Sequence, residues 1–288
     1  IIWAFSSYFF ILIPAGHIWK FVTLAYIPPT IAGVVLAYRK KYLLGGVITA
    51  LFIALQIQSN HIQMSYYFMF VILFFIIAYF VDAYEKKELP HFFKASAILA
   101  LAAVVGVCVN ISNLYHTYEY SKETMRGKSE LKQEGPAANQ TSSGLDRDYI
   151  TNWSYGIGET LTLLVPNVKG GGCSTTLSQN ETAMAKANPM YGNLYSQLTP
   201  YFGDQPWTAG PVYVGAFVVF LFILGCFIVK GPLKWALLGA TIFSILLSWG
   251  KNFMGLTDFF IDYVPMYNKF RAVSSILVIA EFTIPLLA

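Results

Sequence analysis

Residues 42–81, YLLGGVITALFIALQIQSNHIQMSYYFMFVILFFIIAYFV, form a run of 40 residues that contains no Asp, Glu, Lys or Arg. About 20 helical residues cross a hydrocarbon core of roughly 30 Å, so this run is long enough for two membrane spans. Its main polar interruption, QSNHIQ at 58–63, lies near the middle. The pattern predicts a helical hairpin in a membrane, with Asn60, His61 and Gln63 at its tip.

The whole chain has the composition of a membrane protein. Of its 288 residues, 56% are hydrophobic and only 12% are charged, against about 25% charged in an ordinary soluble domain. This balance excludes a cytosolic enzyme, a nucleic-acid-binding module and a disordered tail. The net charge of +4 does not indicate a nucleic-acid partner, because most of the basic excess lies in short loops between apolar segments, where membrane topology explains it.

Eight apolar segments can be placed along the chain. They cover residues 1–13, 21–38, 43–58, 64–81, 95–113, 211–229, 235–249 and 272–288. In lipid each segment must satisfy its own backbone hydrogen bonds, which predicts an all-α bundle of about eight transmembrane helices. Pro28 and Pro29 predict a kink or break in the second segment. Because both chain ends lie inside apolar segments, we expect the sequence to be a fragment of a longer protein.

Basic residues indicate which loops face the cytoplasm. Three alternate short connections carry eight of them: Arg39, Lys40, Lys41, Lys86, Lys87, Lys94, Lys230 and Lys234. The positive-inside rule places these connections in the cytoplasm. The opposite loops, at 14–20, 59–63, 114–210 and 250–271, then face the periplasm or exterior. This divides the chain into residues 1–113 with five spans, an extracytoplasmic region at 114–210, and residues 211–288 with three more spans.

The region 114–210 is predicted to contain several short helices. Residues 114–131 continue helically out of the membrane, and 132–142 form a flexible connection. Ser143 followed by Asp146 resembles a capping box for a helix with Leu145, Tyr149, Ile150 and Trp153 on one face, which ends near Gly156 and Gly158. The apolar segment 160–165 stops at Pro166 and is too short to span, which favours an interfacial or re-entrant helix.

Four stretches of the sequence together resemble a known family. They are Gly16-His17 followed by Tyr26-Ile27-Pro28, Asn60-His61-Ile62-Gln63 followed by Tyr66-Tyr67, ETLTLLVPN at 159–167, and Gly250-Lys251 leading through Pro265 to Phe270-Arg271. Their order along the chain resembles the YfhO-like bacterial membrane proteins, in particular their Bacteroidetes branch, and through them the GT-C superfamily of polyprenyl-phosphate-dependent glycosyltransferases.

The resemblance implies a function and a location. It implies a multi-pass protein of the bacterial inner membrane that transfers a sugar, with inversion, from a polyprenyl-phosphate donor to an envelope glycan or lipid acceptor at the extracytoplasmic face. Members of the superfamily usually carry a catalytic acid in the first extracytoplasmic loop. Here the first such loop, residues 14–20, contains no Asp or Glu, so we expect that acid to lie upstream of Ile1.

Three basic residues of the exterior loops are candidates for binding the donor phosphate. Arg271, Lys269 and Lys251 run against the positive-inside trend, and an Arg fork can grip a phosphate with two hydrogen bonds. The alternative is that they are interfacial anchors that reach anionic headgroups.

The two short exterior turns supply further polar candidates. His17 and Lys20 in one turn, with His61 and Gln63 in the other, could line a sugar pocket in which a histidine carries the proton. The alternative is that these residues satisfy the backbone of a turn between two spans. Two histidines from different loops do not make a metal motif, so no cofactor is predicted, although a divalent metal remains open.

Acidic residues could act as the base. Glu159 precedes the apolar segment 160–165, and Asp146 lies in a charged cluster; a carboxylate held at an interface can have a raised pKa. The alternative is that Glu159 favours the helix that follows it and that Asp146 is a helix cap. Glu281 is the one clear acid inside a predicted span, and its cost in lipid predicts that it faces protein or water.

Two other classes of function compete with the enzyme. A transporter or flippase for a lipid-linked precursor would need ionisable residues near the bilayer midplane and broken helices in matched halves. A noncatalytic envelope scaffold would use its long exterior loop to bind a partner. Both remain alternatives at the level of sequence.

Overall fold

A computed structural model of the chain describes residues 2–127, 139–141 and 144–288, and these residues contain helices and no strand. The α-helices are α1 (Ser7–Leu12), α2 (Ile18–Ala25), α3 (Ile27–Tyr38), α4 (Tyr42–Gln58), α5 (Ile62–Glu85), α6 (Leu89–Cys108), α7 (Ile111–Lys122), α8 (Arg147–Thr151), α9 (Glu181–Met184), α10 (Gly192–Tyr195), α11 (Ala216–Ile228), α12 (Pro232–Ser248), α13 (Met254–Tyr263) and α14 (Val278–Leu287). The predicted all-α class is confirmed.

Three helical segments are long and apolar enough to cross a membrane: Ile18–Tyr38, Ile62–Glu85 and Leu89–Cys108. A fourth is possible if α12 and the following Gly250–Tyr263 segment, which meet at a bend of 107°, count as one span. The other apolar helices among the described residues have 10 to 17 residues. Each of the eight predicted segments therefore contains a helix, and three or four of them have the dimensions of a span.

The predicted break in the second apolar segment is present. Helix α2 ends at Ala25 and α3 begins at Ile27, with Tyr26 between them. Proline lacks a backbone N–H and is favoured in the first turn of a helix. Pro28 and Pro29 therefore mark the end of one helix and the start of the next within the segment Ile18–Tyr38, which is long and apolar enough to cross a membrane.

Helices α3 and α4 approach each other through glycines. A Cβ atom built on Gly45 would lie 2.5 Å from the backbone nitrogen of Ala37, and one built on Gly33 would lie 2.5 Å from Oγ1 of Thr49. Small residues allow helices in a membrane to pack this closely. The glycines thus fix the distance between the two helices.

We expect Gly45→Ala to lower the free energy of unfolding by about 1 to 3 kcal/mol, the usual cost of overpacking a tight contact. The measurement is denaturant-induced unfolding of the purified protein in detergent micelles. Gly255→Ala is the matched control, because a Cβ atom there has no neighbour within 4 Å and alanine favours a helix. Equal effects of the two substitutions would contradict close packing at Gly45.

The core of the bundle is aromatic and lies between α5, α12 and α14. Phe70 and Phe74 on α5 contact Phe243 on α12, with ring centroids 5.2 and 5.5 Å apart. Thr241 on α12 and Thr283 on α14 share a buried hydrogen bond of 2.7 Å between their hydroxyls. The ring contacts hold α12 against α5, and the threonine bond holds α14 against α12.

Glu281 on α14 is buried, with 1% of its surface exposed, and it faces protein as predicted. Its carboxylate accepts hydrogen bonds from the hydroxyls of Ser6 and Ser7 at the start of α1. Ser7 also accepts a hydrogen bond from the backbone nitrogen of Tyr213. A buried carboxylate needs such donors, and here they join the first and last helices of the described chain.

The alternate loops gather at two opposite ends of the bundle. At one end the basic connections meet, with Lys40 bonded to Glu88 at 3.0 Å and Lys86 to Asp82 at 2.8 Å. At the other end the turns before α2 and α5 meet the region 114–210 and the residues that follow α13. The polar residues of the predicted exterior loops thus share one end.

Two predicted helices of the region 114–210 have different bounds in the structure. The helix predicted at 114–131 begins at Ile111 and ends at Lys122. It is separated from α6 by Val109 and Asn110, and the side chain of Asn110 donates a hydrogen bond of 2.9 Å to the carbonyl of Ala54 on α4. Most of the predicted connection 132–142 lies outside the described residues, as does Ser143 of the predicted capping box.

The helix predicted after Asp146 is shorter than expected. It ends at Thr151, and no cap bond comes from the side chain of Asp146. The carbonyl of Ile150 accepts a hydrogen bond from the backbone nitrogen of Ala272, and that of Trp153 accepts one from the backbone nitrogen of Ser274. These carbonyls therefore bond another segment of the chain and not a following turn of the same helix. Further along, the segment predicted as an interfacial or re-entrant helix at 160–165 is a 3-10 helix at Gly158–Leu163.

Candidate functional site

A cavity of about 390 Å³ lies at the end of the bundle where the predicted exterior loops meet. Its walls come from α1, from the turns before α2 and α5, from the region 114–210 and from the segment before α14. Five residues predicted as site candidates line it together: His17, Lys20, His61, Gln63 and Arg271. We call this space the outer cavity.

Two similar turns place the histidines at the outer cavity. Gly16 and Asn60 have positive φ angles of 73° and 56°, a conformation that glycine and asparagine adopt most readily. Each reverses the chain just before a histidine, and His17 and His61 are the residues that precede α2 and α5. The polar motifs that contain His17 and His61 therefore lie at the N-termini of α2 and α5.

Lys20 and Arg271 supply positive charge to the outer cavity. Lys20 is buried, with 9% of its surface exposed, and its Nζ donates to the hydroxyl of Ser275 at 3.0 Å. The guanidinium of Arg271 donates to the hydroxyl of Tyr149 at 2.7 Å and lies over the ring of that tyrosine. The amide of Gln63 fixes the backbone here, donating to the carbonyl of Arg271 at 2.7 Å.

Arg126 is a third cation of the outer cavity, and it was not predicted. Its Nε donates to the carbonyl of Lys269 at 3.0 Å, and Nζ of Lys269 donates to the carbonyl of Arg126 at 2.6 Å. Arg126 could have been predicted by the criterion used for Arg271, which is a basic residue in an exterior loop. Its contact with Lys269 could not be predicted, because the two residues are 143 positions apart in the sequence.

The outer cavity is positive because no described residue balances its cations. Its lining contains Lys20, Arg126 and Arg271 and no Asp or Glu. None of the three forms an ion pair with a carboxylate in the part of the chain that the structure describes. Lys20 is buried, whereas Arg126 and Arg271 are exposed, and a cluster of cations without counter-ions creates a positive potential that attracts an anion.

Burial and the nearby positive charges together lower the pKa of both histidines of the outer cavity. Burial and the neighbouring charges of Lys20 and Arg271 lower the pKa of His17 below its usual 6.5. Burial and, next, the charge of Lys20 lower the pKa of His61 to about 4. Both imidazoles are therefore neutral at pH 7, and a neutral imidazole can accept a proton.

Glu159 lies behind the wall of the outer cavity and does not line it. It is buried, with 3% of its surface exposed. Its carboxylate accepts hydrogen bonds from the hydroxyl of Tyr201 at 2.8 Å, the side-chain amide of Gln205 at 3.1 Å and the backbone nitrogen of Gly156 at 3.1 Å. Gln205 does line the outer cavity, so the hydrogen bond from its side-chain amide to Glu159 fixes the orientation of a cavity-lining residue.

The other predicted candidates lie outside the outer cavity. Asp146 occupies the position before α8, and Nζ of Lys251 donates to the carbonyl of Asp204 at 3.3 Å. Lys269 is not among the residues that line the outer cavity, although it bonds Arg126, which does line it; burial lowers the pKa of Lys269. Near Asp146, Arg147 bonds Asp258 and Asp262 at 2.6 Å each, which fixes α8 on α13.

Within the described ranges, no three His, Cys, Asp or Glu side chains lie close enough together to hold a metal ion.

Comparisons of the chain with models of protein families, with curated proteins and with solved structures find no match. The resemblance to the YfhO-like family therefore rests on the four sequence stretches given above, of which Gly16-His17, Asn60–Gln63 and the end of the Gly250–Arg271 stretch contribute to the outer cavity.

Proposed function

We propose that this protein is an integral membrane glycosyltransferase that takes a sugar from a polyprenyl-phosphate donor and passes it to an envelope glycan or lipid. The observation that carries the proposal is the outer cavity, with three cations, two neutral histidines and no described lining carboxylate, at one end of a lipid-exposed helical bundle. The resemblance to the YfhO-like and GT-C proteins supports the same reaction. We further propose an eight-span, GT-C-like bundle in a bacterial inner membrane, with the outer cavity on the extracytoplasmic face.

The proposed reaction is a single displacement at the anomeric carbon of the sugar. The bond from that carbon to the phosphate oxygen breaks, and the electron pair leaves with the phosphate, whose charge Lys20, Arg126 and Arg271 stabilise. The hydroxyl oxygen of the acceptor forms the new bond from the opposite face, which inverts the configuration. Its proton passes to a base, and His17 is the predicted catalytic residue that lines the outer cavity.

Transfer of radiolabelled sugar by the full-length protein in vesicles tests the proposal. Labelled product from a polyprenyl-phosphate sugar supports it. If no polyprenyl-phosphate sugar yields product, the proposal that the protein is a glycosyltransferase is wrong.

The second candidate, a flippase for a lipid-linked precursor, is favoured by buried Glu281 and by the helix breaks at Tyr26 and between α12 and α13. Movement of fluorescent precursor across the vesicle membrane without transfer would support that candidate.

The rate of transfer is expected to fall at acidic pH. Protonation removes the lone pair with which a base accepts the proton. Burial and, next, the charges of Lys20 and Arg271 lower the pKa of His17 from 6.5. The acidic limb of the pH–rate profile should therefore lie below pH 6.5. His17→Gln should remove this limb and slow transfer about 100-fold, the usual worth of a general base. His116→Gln, at an exposed position on α7, is the control and should leave the profile unchanged.

A further inference from the structure

A second cavity, of about 460 Å³, lies at the opposite end of the bundle from the outer cavity. It is formed where α3 and α5 end and where α6 and α12 begin. Two aromatic stacks form part of its wall, with the ring of Tyr38 4.5 Å from that of Tyr79 and 5.6 Å from that of Phe92. We call this space the basic-end cavity.

The basic-end cavity carries an excess of positive charge. Four basic residues and two acidic ones line it. Both carboxylates are already used, because Glu88 pairs with Lys40 at 3.0 Å and Asp82 with Lys86 at 2.8 Å. The two remaining cations, Arg39 and Lys230, have exposed side chains and form no ion pair with a described residue.

An apolar groove continues from the basic-end cavity along the outside of the bundle. It runs between α5 and α12, and the two spaces share Asp82 and Pro232. The groove is lined mainly by Phe74, Ile77, Val81 and Trp235. Ile77 and Trp235 are 52% and 63% exposed, as expected of side chains that meet lipid.

The junction of cavity and groove lies at the level of a membrane interface. Trp235 is one turn into α12, and Nζ of Lys234 lies 4.7 Å from the centre of its ring. Tryptophan and lysine at the end of an apolar helix mark the headgroup region. The basic-end cavity is therefore at headgroup depth, and the groove extends from it to the depth of the acyl chains.

We propose that the basic-end cavity and its groove bind one anionic phospholipid. The phosphate and headgroup lie between Arg39 and Lys230, and one acyl chain follows the groove between α5 and α12. Basic pockets between membrane helices bind anionic headgroups in this way. Glu85, at the edge of the groove, repels the phosphate and directs it toward the cation side. A free anion would leave the apolar groove unused, which is why the lipid is favoured.

The test compares lipid retention by the full-length protein in native mass spectrometry. Purified protein in detergent is mixed with phosphatidylglycerol or with phosphatidylcholine of the same acyl chains, and wild type should retain phosphatidylglycerol preferentially. Arg39→Gln combined with Lys230→Gln should weaken that retention about 30-fold, at roughly 1 kcal/mol for each basic residue near an anionic headgroup. The matched control is Lys41→Gln combined with Lys87→Gln, which removes two exposed cations at the same end that do not line the basic-end cavity.

Three results would overturn the proposal: equal retention of the two lipids, an equal loss in the control, or displacement of phosphatidylglycerol by soluble glycerol phosphate, which would indicate a site for a free anion. A second variant, Ile77→Gln, tests the acyl groove without changing a charge. It should weaken retention of phosphatidylglycerol while circular dichroism shows unchanged helix content. This inference does not depend on glycosyl transfer, so its failure and the failure of the proposed enzyme are separate outcomes.

Discussion

Arg271→Ala is expected to lower the rate of sugar transfer about 100- to 1,000-fold. Loss of one oriented donor that stabilises a developing anion typically has an effect of this size. Arg271 is placed for that role, because its guanidinium is oriented by Tyr149 and its backbone by Gln63. The measurement is the initial rate of transfer to acceptor at saturating donor, with the amount of folded protein determined by gel filtration.

Two further variants separate recognition of phosphate from loss of charge. Arg271→Lys keeps the positive charge but loses the planar fork, and it should recover only part of the rate. Lys186→Ala, an exposed cation of the same loop region, should transfer sugar as wild type does. If Arg271→Ala also transfers sugar at the wild-type rate, the phosphate is bound elsewhere.

Glu159→Ala is expected to destabilise the region 156–205 severely. The substitution leaves the hydroxyl of Tyr201, the amide of Gln205 and the backbone nitrogen of Gly156 without their acceptor. Each buried unsatisfied group costs about 1 to 3 kcal/mol, so we expect a loss of at least about 3 kcal/mol in the free energy of unfolding. The measurement is limited proteolysis of the loop at increasing denaturant concentration.

The comparison with Glu159→Gln distinguishes a structural role of Glu159 in the wall of the outer cavity from a catalytic role. Glutamine retains an acceptor oxygen, so the variant should keep the loop folded and transfer sugar within about tenfold of the wild-type rate, through the same hydrogen bond to Gln205. A folded Glu159→Gln protein that has lost transfer entirely would instead favour the sequence-based hypothesis that Glu159 is the base. Tyr201→Phe, which removes one donor to the carboxylate, is the control for a small change in the same network.

The helical architecture could be predicted from the sequence because it depends on local composition. Uncharged runs such as 42–81 indicate apolar helices in any tertiary setting, and Pro28 with Pro29 marks a break because proline lacks a donor. The dimensions of the spans were less predictable. Helix α11 has 13 residues where the apolar segment has 19. Residues 211–215 are not helical, and the backbone nitrogen of Val214 donates a hydrogen bond to the carbonyl of Leu163.

The candidate site could be predicted in part. The alternation of basic and polar loops indicated that His17, His61 and Arg271 share one end of the bundle, and all three line the outer cavity. What the sequence did not indicate is which charged groups neutralise each other. Arg147 is 111 and 115 residues from its two partners, and Glu159 meets Tyr201 across 42 residues, so burial and pairing depended on contacts that have no local pattern.

The bond from Glu281 to Ser6 and Ser7 has a consequence for biosynthesis. A ribosome delivers the serines first and the glutamate more than 270 residues later. A buried carboxylate without hydrogen-bond donors is costly, and α14 can bury Glu281 without that cost only when the serines at the start of α1 are already in place. The packing of α14 therefore depends on the correct placement of α1, so the last described helix can complete its folding only after the first one is in position.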